Sequence, residues 1–162
     1  MLHDTVAYLL GTWEVERELV DRRAEVVGTF RGTAVFQELT GAGVARGPAG
    51  GTSAALPGDA PGRAVVEHAE RGELAWGGVT GPAGRTLLVV PQADGSARVT
   101  FADGREFHDL DLRAGRWSAL HPCVADVYAG TFTVVSPDEW HVRWDVTGPA
   151  KDQRLTTTYR RA

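Results

Sequence analysis

The chain has 162 residues, a length typical of one domain, and its 20 glycines and 8 prolines suit a protein of many short strands and turns. Its net charge of −4 argues against general binding of nucleic acid or of an anionic membrane, because both need a basic surface. The single cysteine, Cys123, excludes an intramolecular disulfide and multi-cysteine metal motifs. No secretory signal and no apolar run of membrane-spanning length is found, so we expect residues 1–162 to form one cytoplasmic domain.

The beginning of the chain combines a short apolar segment with a tryptophan at the start of a strand. Residues 6–10 are apolar and predict one or two helical turns, Gly11-Thr12-Trp13 follows, and residues 13–19 alternate as a strand. This opening resembles that of the calycin-type barrels, which include lipocalins and fatty-acid-binding proteins. The resemblance implies that Trp13 closes one end of a barrel whose interior holds a small ligand.

Residues 41–62 are the one loose region of the sequence. Proline and glycine recur there every few residues, which excludes a regular helix. Two interpretations remain open, a surface connection or a lid over the barrel mouth.

The rest of the chain is dominated by two-residue periodicity, interrupted at turn residues. Asp94-Gly95 and Asp103-Gly104 each separate two alternating segments, and Asp-Gly is a strong hairpin signal because a type I′ turn needs positive φ at both central residues. Residues 70–73 predict a further turn. The sequence therefore predicts an all-β, antiparallel, up-and-down, calycin-like barrel of about ten strands with a short N-terminal helix. After the first strand, the predicted strands are residues 30–36, 64–68, 74–77, 86–90, 97–101, 106–112, 128–135, 140–146 and 154–160.

The apolar phase of each strand predicts which side chains point into such a barrel. In the first strand Arg17 shares the inward phase with Trp13 and Val15, because the opposite face carries three glutamates. A buried guanidinium needs an interior carboxylate, a ligand's anionic group or trapped water. The inward polar and aromatic side chains predicted from all strands are Arg17, His108, Asp126, Tyr128, Trp140, Trp144 and Tyr159.

A few polar groups converging in an aromatic cavity are typical of a small-molecule site. Each also has a purely structural interpretation. Tyr128 and Tyr159 are also typical of core tyrosines, Arg17 with Asp126 of a buried ion pair, and His108 of a hydrogen-bonded core histidine.

Residues 121–128 hold the densest run of reactive side chains, for which we consider three interpretations. His121 and Cys123 could form a nucleophilic pair, but such close sequence neighbours rarely have the required geometry. His108, His121, Cys123 and Asp126 have the ligand types of a metal site, but their spacing matches no zinc pattern. We favour a strand entrance at the barrel rim, where His121 and Asp126 line the mouth, and we predict no metal and no cofactor.

Three motifs resemble an uncharacterised bacterial family of calycin-like barrels, a domain of unknown function. They are Asp103-Gly104-Arg105-x-Phe107-His108, His121-x-Cys123-x-x-Asp126-x-Tyr128 and Gly148-Pro149-x-Lys151-Asp152. The wider calycin resemblance implies that Arg160 or Arg161 packs across Trp13. It gives no haem-binding histidine, because none follows His141, and no Arg-x-Tyr fatty-acid grip, because Thr157 stands where the arginine would be.

The leading hypothesis is a barrel that binds a small, partly apolar, anionic molecule, with Arg17 on the acidic group. Tyr128, Tyr159, His108, His121 and Asp126 would add polar contacts, and Trp140 and Trp144 would pack on the apolar part. The alternative is a small cofactor-independent isomerase, cyclase or hydrolase with His108 or Asp126 as base and Tyr128 as acid. A dimerising structural module without a ligand is a third hypothesis. The expected partner is a small molecule rather than nucleic acid or membrane, and a homodimer stays open.

Overall fold

The computed structural model describes residues 1–40 and 58–162. They form one helix, α1 (Thr5–Leu9), and ten strands. The strands are β1 (Gly11–Asp21), β2 (Val26–Glu38), β3 (Val66–Trp76), β4 (Val79–Pro91), β5 (Ala97–Phe101), β6 (Glu106–Leu110), β7 (Arg116–Cys123), β8 (Asp126–Ser136), β9 (Glu139–Thr147) and β10 (Asp152–Arg161). Among the described residues, no helix has the length and apolarity that crossing a membrane requires.

The strands make one antiparallel sheet in the order β6-β5-β4-β3-β2-β1-β10-β9-β8-β7. Every neighbour is adjacent in sequence except β1 and β10, whose pairing joins the two ends of the chain. The sheet curls so that β6 and β7 face each other, and the Trp117 Nε1–H donates to the Asp109 carbonyl across this seam, at 3.0 Å. The predicted all-β, up-and-down barrel is confirmed, and it is nearly closed.

The sequence predicts one turn that is absent and omits one strand that is present, and these two errors cancel in the strand count. The turn predicted at residues 70–73 does not exist, because β3 runs unbroken through it to a turn at Gly77 and Gly78, whose φ angles of 57° and 81° favour glycine. Conversely, β7 was not predicted as a strand. It pairs with β8 along its whole length, including Pro122.

The helix and Trp13 close one end of the barrel. Asp4 caps α1 by accepting a hydrogen bond from the Ala7 amide at 2.8 Å, and Trp13 is fully buried, with its Nε1–H donating to the Leu9 carbonyl at 2.7 Å. The Arg161 guanidinium lies 3.8 Å from the centre of the Trp13 ring. The expected cation–π contact is therefore present, and Arg161 rather than Arg160 makes it.

The predicted inward faces are confirmed by burial along the strands. The most buried side chains are apolar or aromatic, and they come from the phases predicted to face inward, among them Trp13, Val15, Phe30, Ala34, Phe36, His108, Phe132, Trp140, Val142, Trp144, Val146 and Tyr159. Residues 41–57 of the loose region lie outside the described residues, so its interpretation as connection or lid stays open. At the described end of that region, Asp59 forms an isolated antiparallel β-bridge with Gln92.

Candidate functional site

A buried carboxylate, Glu70 on β3, organises the polar part of the interior. Its side chain is 1% exposed and accepts two hydrogen bonds from Arg17, from Nη1 at 3.0 Å and from Nη2 at 2.9 Å. Tyr159 donates to the same carboxylate at 2.6 Å, and the Arg17 Nε–H donates to the Thr157 hydroxyl at 2.8 Å. Arg17 therefore meets an interior carboxylate, one of the three expected partners, but that carboxylate is Glu70 and not Asp126.

Arg85 on β4 is a second guanidinium bound to Glu70. Its Nε and Nη2 groups donate to the carboxylate at 3.0 and 3.2 Å. Its side chain lies on the inward phase of β4 and lines the interior cavity, yet it keeps 38% of its surface exposed. Two guanidiniums against one carboxylate leave one positive charge in excess, and Arg85 is the more exposed of the two and lines the cavity.

The protonation states of this cluster follow from burial and from the neighbouring charges. Burial raises the pKa of Glu70, but His68 and the two arginines lower it by a larger amount. The pKa of Glu70 is therefore below its ordinary value, and the group is a carboxylate. Burial lowers the pKa of His68, whose ring stacks on Phe36 at 4.1 Å, and keeps the imidazole neutral. Burial, with the Glu70 charge, raises the pKa of Tyr159 to about 12.

A cavity next to Glu70 reaches from the cluster to the aromatic side of the barrel. The space open to the centre of a water molecule is about 40 Å³, enough for about three waters with the side chains as they stand. Its walls are apolar or aromatic, apart from two histidines, Arg85 and the Tyr159 hydroxyl. The lining side chains include His68, Arg85, Leu87, Phe107, His108, Phe132, Trp140, Trp144 and Tyr159.

His108 presents a neutral imidazole to this cavity. Its Nδ1 lies 2.7 Å from the Asp109 carbonyl oxygen, and its ring packs against Phe132 and Trp144 with centroid distances of 5.2 and 5.3 Å. Burial lowers the pKa of His108 to about 4. The predicted inward position of His108 is confirmed, and at neutral pH the ring is uncharged.

A β-bulge sends two consecutive side chains toward the interior here. Val99 pairs with His108 and Thr100 pairs with Glu106, which leaves Phe107 as the extra residue. Phe107 stacks on Trp144, with ring centroids 5.3 Å apart. It belongs to a cluster that we call the aromatic rim, made of Phe101, Phe107, His121, Tyr128 and Trp144, whose neighbouring ring centroids lie 4.7 to 5.9 Å apart.

Asp126 lies at the barrel mouth and is paired with Lys151, at 2.9 Å. The Lys151 ammonium also lies 5.9 Å from the centre of the Tyr128 ring. The next residue, Asp152, pairs with Arg22 at 2.7 Å. Lys151 therefore stabilises the mouth through the β8 strand rather than its own turn.

The predicted site residues thus fall into separate groups. Arg17 and Tyr159 join Glu70, and Trp140 stacks on Tyr159 at 4.1 Å. His108 lines the same cavity as Tyr159 and Trp140 and also contacts the aromatic rim. The rim contains the remaining ring side chains predicted for the site, His121, Tyr128 and Trp144. Asp126 lies at the mouth. Within residues 1–40 and 58–162, no hydrogen bond or ion pair joins the three catalytic candidates His108, Asp126 and Tyr128.

His121 and Cys123, the other candidates of residues 121–128, lie at the end of β7. Cys123 is an exposed free thiol, and no hydrogen bond to His121 is formed. Among the residues described, no group of three or more His, Cys, Asp or Glu side chains is arranged to hold a metal ion.

Sequence reasoning missed Glu70, Arg85 and His68. Glu70 lies in the turn predicted at residues 70–73, and Arg85 lies just before the strand predicted at residues 86–90. A signal was present, since His68, Glu70 and Leu74 share one phase across Gly72, as a single long strand requires. Recognising that phase would have placed the Glu70 carboxylate on the inner face of the barrel.

The model of a family of unknown function (DUF6314) matches residues 9–161. The chain belongs to this family. Membership of an uncharacterised family, predicted from the motifs, is thereby confirmed. No curated protein sequence matches this DUF6314 member.

Solved structures resemble this DUF6314 member in fold. The S-type phycobiliprotein lyase CPES from Guillardia theta has a TM-score of 0.66 at 10% identity, over 97% of this chain and 90% of that one. A de novo designed fluorescence-activating β-barrel has a TM-score of 0.47 at 18% identity, over the full length of both chains. At these identities the similarity to the lyase shows a shared barrel fold.

Proposed function

We propose that this protein binds a small, partly apolar, anionic molecule inside its barrel. The observation that carries the proposal is the Arg85 guanidinium, which lines a mainly apolar and aromatic cavity and is only partly buried. One positive charge in the cluster has no carboxylate of its own, and the anionic group of a ligand would neutralise it.

The two arginines contribute differently to this proposed site. Arg17 is 9% exposed and makes four hydrogen bonds, two to Glu70, one to Thr157 and one to Tyr159, out of the five that a guanidinium can donate. Arg85 makes two, both to Glu70, and so keeps donors for a ligand. We therefore assign the acidic group of the ligand to Arg85, and to Arg17 the task of fixing Glu70 beneath it.

The apolar part of the ligand would lie against the ring walls. Since the cavity holds about three waters with the side chains as they stand, those side chains would move outward to admit it. Trp140, Trp144 and Phe132 line the cavity, and flat rings suit flat ligands because stacked aromatic faces pack closely. His121, Tyr128 and the Asp126–Lys151 pair would surround the entrance. The structural neighbour is named as a phycobiliprotein lyase, which is consistent with a barrel that serves small-molecule chemistry.

The experiment compares 2-naphthoate with its neutral isostere 2-naphthamide by isothermal titration calorimetry. We expect the wild-type protein to bind the acid about tenfold tighter, which corresponds to about 1.4 kcal/mol. Arg85→Met keeps the apolar stem of the side chain and should remove this preference. The matched control is Arg71→Met on the outer face of β3, which should retain it. Equal binding of acid and amide by the wild type would refute the proposal.

An acid–base enzyme has less support from the geometry. A general base is most effective when its pKa lies near the working pH, whereas the pKa of His108 is about 4. The carboxylate of Asp126 is engaged by Lys151 at the mouth. No specific arrangement of His108, Asp126 and Tyr128 therefore favours that alternative.

A further inference from the structure

We infer that His108 selects ligands carrying an N–H or O–H donor, by offering them the lone pair of Nε2. This inference rests on the proposed function, because it concerns the same cavity. It narrows the ligand to a flat, aromatic acid with a hydrogen-bond donor on the ring, such as a pyrrole-type N–H or a phenolic hydroxyl.

The tautomer of His108 follows from its hydrogen bond. The Asp109 carbonyl oxygen can only accept, so the Nδ1 atom 2.7 Å away must carry the proton. A neutral imidazole with its proton on Nδ1 has an unprotonated Nε2. His108 therefore faces the cavity as an acceptor and not as a donor.

Two contacts hold the ring in this state. The Asp109 carbonyl also accepts the Trp117 indole N–H from β7, at 3.0 Å, so both of its lone pairs are used and its position is fixed at the seam. The Phe132 ring on β8 and the Trp144 ring on β9 pack on the imidazole across the interior. The positive charge of Arg85 and burial both disfavour protonation of Nε2.

The Nε2 atom of His108 remains without a partner. No hydrogen bond reaches it from the described residues, and it is not among their solvent-inaccessible side-chain atoms that lack a hydrogen bond. It therefore keeps access to the cavity that it lines. A buried acceptor in an aromatic wall calls for a donor, and a bound ligand can supply one.

Arg85 lines the same cavity as His108 and lies close enough for its charge to affect that ring. A ligand bridging them needs an acid at one end and a donor at the other. Its intervening part must be flat and apolar, because Phe132, Trp144 and Leu87 line the same cavity. Indole-3-acetate has this form, and benzo[b]thiophene-3-acetate is its close isostere without the N–H.

The experiment measures the affinity ratio of these two acids by calorimetry. We expect the wild-type protein to bind indole-3-acetate about five to ten times tighter than the thiophene analogue. His108→Phe keeps a flat ring but removes the acceptor, so it should bring the ratio to about one. His3→Phe, at an exposed site, is the control and should keep the wild-type ratio.

A ratio near one in the wild type, or an unchanged ratio in His108→Phe, overturns the inference. The proposed function survives that result if 2-naphthoate still binds in an Arg85-dependent manner. Absence of binding for all of these acids overturns both. Long-range ¹H–¹⁵N correlation spectra of the wild-type imidazoles give an independent test, because a proton on Nε2 of His108 would refute the inference without any ligand or variant.

Discussion

Arg17 and Glu70 form a bidentate ion pair across an intervening strand. Their two hydrogen bonds, at 3.0 and 2.9 Å, join β1 to β3, while β2 lies between them. Arg17 is in register with Phe30 and Glu70 with Ala34, so the position midway between them is Gly32. Gly32 brings no side chain into the lumen, and the two long side chains can meet over it.

Removing the Glu70 carboxylate should be strongly destabilising. Glu70→Ala leaves Arg17 and Arg85 without their anion in a largely buried site, and breaking a buried pair in this way costs about 3–5 kcal/mol. The free energy of unfolding in urea measures the effect. Glu73→Ala, on the same strand but exposed, is the control and should change stability by less than about 0.5 kcal/mol. Similar losses for both variants would argue against the cluster as a stabilising element.

Stability should fall as the pH drops through the range in which His108 is protonated only in the unfolded chain. The pKa of His108 is about 4 in the folded protein, against 6.5 ordinarily, so the unfolded chain gains a proton first. His68 acts in the same direction, because its pKa is also lowered. The contribution of His108 to the free energy of unfolding is nearly complete above pH 6.5. We expect about 2 kcal/mol of it to be lost between pH 7 and pH 5, and most of the remainder by about pH 4.

The His108→Phe variant isolates this contribution. We expect its unfolding free energy to depend on pH less steeply between pH 7 and pH 5 than that of the wild type, while His3→Phe retains the wild-type dependence. Denaturant titrations at the two pH values provide the measurement. Parallel pH profiles for wild type and His108→Phe would mean that the imidazole is not held in its neutral form.

The approach of the strands at Gly32 should not tolerate a methyl group. A Cβ atom at this position would lie 2.2 Å from the Arg71 carbonyl oxygen, which belongs to the backbone of β3 and cannot move aside freely. We expect Gly32→Ala to lower the free energy of unfolding by about 1–3 kcal/mol. At Gly81 in β4 a Cβ meets nothing within 4 Å, so Gly81→Ala should be neutral or slightly stabilising. Thermal unfolding compares the two variants, and equal melting temperatures would contradict the predicted clash.

The closed end should depend on Arg161 and not on its neighbour Arg160. Arg161 stacks over Trp13 and donates hydrogen bonds to the Leu10 and Tyr8 carbonyls at 2.7 and 3.0 Å, so Arg161→Ala should cost about 2–4 kcal/mol. Arg160 makes surface ion pairs, so Arg160→Ala should cost under about 1 kcal/mol. Urea unfolding followed by tryptophan fluorescence distinguishes the two, and an Arg160 effect equal to that of Arg161 would refute the assignment.

The sequence by itself determined the architecture and the inner face of most strands. Strict alternation in segments such as Trp140 to Val146 leaves one phase that can be buried, and the local pattern alone decides it. The triplet Gly11-Thr12-Trp13 also indicated the closed end, because its resemblance to calycin-type barrels depends only on a tryptophan at the start of the first strand.

Only the tertiary structure decided which charges meet. The partner of Arg17 is 53 residues away in the chain, on a strand that is not its neighbour, and no local pattern encodes such a pairing. The exposure of Arg85 likewise depends on the curvature of the nearly closed sheet. The bulge at Phe107 depends on the register of β5 and β6. Burial phase is a property of one strand, whereas the convergence of polar groups in a lumen is set by the packing of all of them.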